Sequence, residues 1–148
     1  MSKNISSTQK AYLAGFLDGD GSIYVRLKPN SSYRFGFQIA PYIVFFQSQK
    51  EKEKFQKICD LVQLGHIRER KDGILEYIVN KQEAIRKFID WVKPYAILKK
   101  QQVALMAEIL NKKQSINDYR DFQELAKLVD KFREINYSKK RKRRILTP

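Results

Sequence analysis

Thirty Lys and Arg against sixteen Asp and Glu give this chain of 148 residues a formal charge of +14. That charge makes a polyanion the expected partner, and the length suits one compact domain burying roughly two-thirds of its unfolded surface. Hydrophobic content of 43% and aromatic content of 12% exclude a merely disordered basic arm. Cys59 and His66 are the sole residues of their kinds, which excludes a disulfide framework, a Cys-rich or His-based metal site and a His-dependent triad. No stretch approaches the ~20 apolar residues of a membrane helix, and the N-terminus lacks a secretory apolar run. The expectation is a soluble intracellular protein, in an organelle or a prokaryotic cytoplasm, with no membrane partner and no secretion.

The first element is a helix over about residues 8–17. Ser6, Ser7 and Thr8 are N-cap candidates, and Tyr12, Leu13, Phe16 and Leu17 recur at helical spacing. Ala11, Gly15 and Gly19 fall four apart, forming a stripe of small residues where a second helix backbone can approach closely. The helix exits into Asp18-Gly19-Asp20-Gly21, a tetrapeptide that on spacing alone reads as a turn.

Next, Ile23, Val25 and Leu27 alternate with Ser22, Tyr24, Arg26 and Lys28, the period of a strand with one buried face. Residues 29–32 supply turn chemistry. A second, long strand then sets Phe35, Phe37, Ile39, Pro41, Ile43 and Phe45 against Arg34, Gly36, Gln38, Ala40, Tyr42 and Val44, with bends expected at Pro41 and at Phe45-Phe46. An amphipathic helix follows over residues 50–62. Two short strands, 66–70 and 75–80, are joined by the turn Lys71-Asp72-Gly73. Helices are expected over 81–92, ended by Pro94, over 96–112 with Ile97, Val103, Ala104 and Ala107 packing, and from a cap at Asn117 or Asp118 to about 135. Residues 139–148 read as a basic tail. Its run over 139–144 holds six positive charges, and its removal leaves +8 of the +14.

The nine residues Leu13-Ala14-Gly15-Phe16-Leu17-Asp18-Gly19-Asp20-Gly21 resemble the signature of the LAGLIDADG homing endonucleases, with Phe16 for Ile and Gly19 for Ala. Further agreement lies in Gly21-Ser22-Ile23, Lys28-Pro29-Asn30, Ser32-Tyr33-Arg34-Phe35, Gln47, Gly65, Arg68, Arg70, residues 94–102, Asn136 and Ser138-Lys139. This pattern is similar to the single-motif, intron-encoded branch that works as a homodimer. The resemblance implies an α/β (α+β) fold: one domain over residues 1–138 with a saddle-shaped antiparallel sheet, helices on one of its faces, and the motif helix at a two-fold interface through Ala11, Gly15 and Gly19.

It also implies a site-specific enzyme that makes a double-strand break with short 3′ overhangs in a long, near-palindromic DNA site. Magnesium, with manganese as a substitute, would be held by Asp20, its counterpart in the other subunit and the Gly19 carbonyl. Asp18, by the same resemblance, would have a structural role at the helix end and not serve as a ligand. Gln47 would hold the water network, and Lys99 would bring positive charge to the phosphate; judged without the resemblance, Gln47 is a strand-end cap and Lys99 a surface lysine. Where relatives carry a further arginine, this chain has Glu51, and Lys50 is the candidate to replace it.

The polar strand faces would lie along the major groove. Arg26, Arg68 and Arg70 suit guanine, and Asn30 and Gln38 suit adenine. Tyr24, Lys28, Ser32, Tyr33, Arg34, Tyr42, His66 and Glu76 extend that surface, and Ser138, Lys139 and Lys140 suit backbone phosphate. Relatives that assist folding of an intron RNA, or that bind DNA without cutting it, are the alternatives on the same scaffold.

Overall fold

The computed structural model describes residues 4–136; Ser138, Lys139 and Lys140 lie outside them. Helix α1 spans Ser7–Asp20 and opens with a reciprocal cap, in which Ser6 Oγ accepts the Gln9 N–H and the Gln9 side chain accepts the Ser6 N–H. The expected turn at its exit does not form. The helix runs through Asp20, and strand β1, Gly21–Pro29, begins at the next residue. Only glycine permits so abrupt a change: a Cβ at Gly21 would lie 2.7 Å from Leu17 Cδ1 and 2.9 Å from Leu17 Cα and O.

The remaining elements are β2 (Phe37–Ser48), a 3₁₀ turn at Gln49–Glu51, α2 (Lys52–Val62), β3 (His66–Glu69), β4 (Ile74–Val79), α3 (Gln82–Val92), α4 (Lys100–Lys113) and α5 (Tyr119–Ile135). The strands form one antiparallel sheet in the order β1-β2-β4-β3. Strand β4 enters between β2 and β3, so the second hairpin joins the first through β2.

Register separates the two faces. Ile23, Val25, Leu27, Ile39, Ile43, Phe45, Leu75, Tyr77 and Val79 are buried on one side, in a single core with Leu13 and Leu17 of α1, Phe55 and Cys59 of α2, Phe88 of α3, Met106 of α4 and Phe132 of α5. All five helices contact the sheet from that side. The opposite face carries Tyr24, Arg26 and Lys28 of β1 beside Tyr42, Ala40 and Gln38 of β2, then Glu76 and Ile78 of β4 beside Arg68 and His66 of β3.

Several expectations need correction. Neither Pro41 nor Phe45-Phe46 bends the pairing, which is unbroken from Gly21↔Phe45 to Pro29↔Phe37 and from Ile43↔Val79 to Ser48↔Ile74. Because β4 joins β2 only from Ile43 onward, Pro41 has a single neighbouring strand and its missing N–H is tolerated. Strand β2 starts at Phe37, since Gly36 at φ +80° closes the preceding loop, with its N–H donating to the Tyr33 carbonyl; Arg34 therefore belongs to that loop and Phe35 is outside the strand. Val44 is fully buried even on the face opposite the core, between Ser22 and Ile78. Helix α4 begins four residues later than its spacing implied, and Ile97 is 79% exposed instead of packed.

Candidate active site and nucleic-acid interface

The C-terminus of α1 meets the segment leading into α4. Asp18 Oδ2 accepts the N–H groups of Ile97 and Leu98 at 2.9 and 3.0 Å, and its Oδ1 accepts that of Lys99 at 3.0 Å. The carboxylate thus serves as a long-range N-cap for α4, whose own flanking residue makes no side-chain cap. Lys99 returns the contact by donating its ammonium to the Asp18 carbonyl at 3.0 Å. A cation at that point faces the negative end of the α1 dipole.

Two residues on, the Asp20 side chain is exposed, as is Gly19. Gln47 lies two residues past Phe45, the register partner of Gly21, so it stands at the same end of the sheet. It is half-buried, and its Oε1 accepts the Ser48 N–H at 2.9 Å. Lys99 is thus held at the terminus of α1 that Asp20 ends, and Gln47 lies at the end of the sheet where β1 begins. A carboxylate and helix-terminal carbonyls are oxygen donors, the chemistry that a hard divalent cation prefers. Among the described residues, no group of three or more His, Cys, Asp or Glu side chains converges. The donors fit such a cation. Asp18 is spent on the three N–H groups of residues 97–99.

Along α1, Ala11, Gly15 and Gly19 are exposed on one stripe, and a Cβ at Gly15 or Gly19 would meet nothing within 4 Å. Tyr12, Ile97 and Leu98 add exposed apolar surface. Glu51 sits in the 3₁₀ turn, paired with Lys54 at 3.3 Å, and the neighbouring Lys50 is exposed.

The sheet face opposite the core holds most of the remaining cationic candidates. Arg68 lies 3.9 Å from Glu76 across the β3–β4 pair, while His66 is exposed at the β3 start. Arg70 is just past β3 and reaches Asp72 of the hairpin turn at 2.6 Å. In the β1–β2 loop, Asn30 Oδ1 accepts both the backbone N–H and the hydroxyl of Ser32, at 3.0 and 2.7 Å, so these two candidates are first of all partners in a turn. Tyr33 and Arg34 are exposed in the same loop, and Arg34 covers the Phe35 ring with Cζ 4.9 Å from its centroid. Phe35 stacks on Phe122 at 5.3 Å, tying the loop to the start of α5.

Two ties escaped the sequence reading. The Asn136 amide donates to the Ile23 carbonyl at 2.9 Å and accepts from Gln102 at 3.3 Å, locking the end of α5 to β1 and α4. The other is the set of partners of Asp18, whose structural role at the helix end was expected but whose contacts with residues 97–99 were not. Neither leaves a local pattern, since each joins groups far apart in the chain.

Residues 13–109 match a family model described as LAGLIDADG endonuclease. The chain is 34% identical over 134 residues to DNA endonuclease I-CreI of Chlamydomonas reinhardtii, a match covering 88% of this chain and 80% of that protein. It is 30% identical over 131 residues to DNA endonuclease I-CvuI of Chlorella vulgaris, with 88% and 81% covered. A crystal structure of the homing endonuclease I-CvuI, in complex with the I-CreI target in the presence of Mg and with the DNA not cleaved, superposes with a TM-score of 0.84 at 29% identity, covering 91% of this chain and 86% of that one. With the motif helix, the sheet and the helix-terminal acid all in place, the chain belongs to the LAGLIDADG endonuclease family.

Proposed function

We propose that this site-specific DNA endonuclease works as a homodimer of one-domain subunits, residues 1–138, and cuts both strands of a long, near-palindromic site with Mg²⁺. The observation that carries this reading is the convergence of the exposed Asp20 and the clasped Lys99 at the end of α1, beside a stripe of small residues open to a second copy. One chain supplies a single carboxylate there, and two-fold symmetry would supply the second.

Asp20 and the Gly19 carbonyl would hold the cation. When bound, a divalent ion neutralises charge at the scissile phosphate and acidifies the attacking water. Lys99 holds its ammonium where negative charge develops on the phosphate, fixed from behind by Asp18. Gln47 orients water through its carboxamide, and this requires its Oε1 to leave the Ser48 N–H or its amide nitrogen to do the work. Ala11, Gly15 and Gly19 let the two motif helices approach closely, with Tyr12, Ile97 and Leu98 widening the contact.

The strand face from β1 to β3 would lie in the major groove, whose width accepts a two-stranded ribbon. The loop residues Asn30, Ser32, Tyr33 and Arg34 would extend that reading outward, and Ser138, Lys139 and Lys140 would contact backbone phosphate. Short 3′ overhangs are the expected product.

The test is cleavage of a plasmid library carrying candidate intron-insertion sequences, with Mg²⁺, Mn²⁺ or Ca²⁺. Cutting with Mg²⁺ and Mn²⁺ and binding alone with Ca²⁺ is expected. Failure of the pure dimer to cut a duplex that it binds selectively would overturn the reading.

A further inference from the structure

Four side chains on the groove face form one assembly. Tyr24 and Tyr42 are directly opposite in the β1–β2 register, and their rings stack with centroids 5.0 Å apart and planes 20° from parallel. Arg26 Cζ is 5.6 Å from both centroids, equidistant from the two rings. Its own cross-strand partner is Ala40, whose side chain is only a methyl group and leaves that space open. Lys28 Nζ lies 5.2 Å from the Tyr42 centroid and donates to the Tyr42 hydroxyl.

An arginine on an open sheet face ordinarily samples many rotamers, and ordering it on binding costs entropy. Here both rings attract the guanidinium electrostatically, and Arg26, with its N–H fork, remains an exposed residue of the sheet face. That fork is the donor pattern that matches guanine O6 and N7.

We propose that the Tyr24–Tyr42 stack is a positioning element that pre-orients Arg26 to read one guanine in each half-site, with Tyr42 acting through its ring and not by touching that base pair. This rests on the sheet face lying in the major groove. Arg26 is the base-reading residue, and Tyr24 and Tyr42 set its aim.

The experiment is selection from duplexes randomised one position at a time, in Ca²⁺ so that cutting does not interfere, using full-length protein. Wild type should enrich guanine at one position per half-site, and Arg26→Ala should lose that preference, on the order of tenfold. Tyr42→Ala should relax the same position and no other, while Tyr42→Phe, which keeps the ring, should restore the preference. A Tyr42→Ala effect at a different base pair, or failure of Tyr42→Phe to restore, would overturn the assignment, because Tyr42 would then act through its hydroxyl, on a base or through Lys28, and not through its ring. If Tyr42→Ala melts as wild type does yet leaves the guanine preference intact, the stack has no positioning role. If wild type itself enriches no duplex, the groove placement falls, and this inference with it.

Discussion

Asp18 and Lys99 hold each other twice across 81 residues of chain: the carboxylate of Asp18 accepts the Lys99 N–H, and the ammonium of Lys99 donates to the Asp18 carbonyl, both at 3.0 Å. A residue of the motif helix thereby places the proposed phosphate-facing lysine. Asp18→Ala should remove the cap on residues 97–99 and cost about 1 to 3 kcal/mol in urea unfolding. Cleavage should fall further than that loss explains, because Lys99 is set loose. An Asp18→Ala protein that folds and cuts like wild type would show the clasp to be dispensable.

Asp20 has the contrasting part, exposed where Asp18 is engaged. Asp20→Asn should leave the melting curve and DNA binding in Ca²⁺ near wild type, yet lower the cutting rate by roughly a hundredfold or more. Parallel loss of binding and cutting in a gel-shift and cleavage pair would contradict its role at the cation.

Gly15 and Gly65 separate assembly from folding. A Cβ at Gly15 meets nothing within 4 Å, whereas one at Gly65 would lie 2.1 Å from the Ile78 carbonyl oxygen. Gly15→Leu should strengthen the helix itself by about 1 kcal/mol while breaking the dimer, seen as a halved mass by sedimentation. Gly65→Ala should instead destabilise the fold by about 1 to 3 kcal/mol. A Gly15→Leu protein that stays dimeric would move the interface away from the α1 stripe.

Alkaline stability follows from two buried acids. Burial, aided by the nearby Asp60 charge, pushes the Cys59 thiol up to about 12, and burial also raises Tyr77. Both groups are neutral when protonated, so their contribution is complete below the ordinary thiol and phenol range and is lost as pH climbs above it, from about 9 toward 12 for Cys59. Lys113 works oppositely: burial lowers its pKa, so its unfavourable charge is relieved as pH rises. Urea midpoints at pH 8 and 11 should show a net fall that is smaller in Cys59→Ala, and the native thiol should resist disulfide reagents at pH 8. Equal alkaline losses in the two proteins would remove Cys59 from the account.

Salt should test the charge. Six of the net positive charges lie in residues 139–144, and a chain ending at 138 keeps +8. Wild-type affinity should fall roughly 10³ to 10⁵ between 50 and 200 mM salt for 6 to 10 phosphate contacts. The shortened chain should bind more weakly with a shallower slope, and an unchanged slope would take the tail off the phosphates.

Alternation along β1 and helical spacing in α2, α3 and α5 were legible in the sequence because each residue's burial there repeats with the period of its own element, whereas in β2 the buried Ala40 and Val44 interrupt the alternation. The +14 charge and the nine-residue motif likewise need no coordinates. What only the tertiary structure decided is how distant pieces meet. The Asp-Gly-Asp-Gly segment reads locally as a turn, but Leu17 packing under Gly21 carries helix straight into strand. The α4 start reads locally as residue 96, but Asp18 takes the N–H groups of 97–99 and the helix proper begins at Lys100. Periodicity records which side of an element is buried; it carries no record of the partner, because a hydrogen bond between residues 80 apart depends on where the sheet and core bring their backbones together.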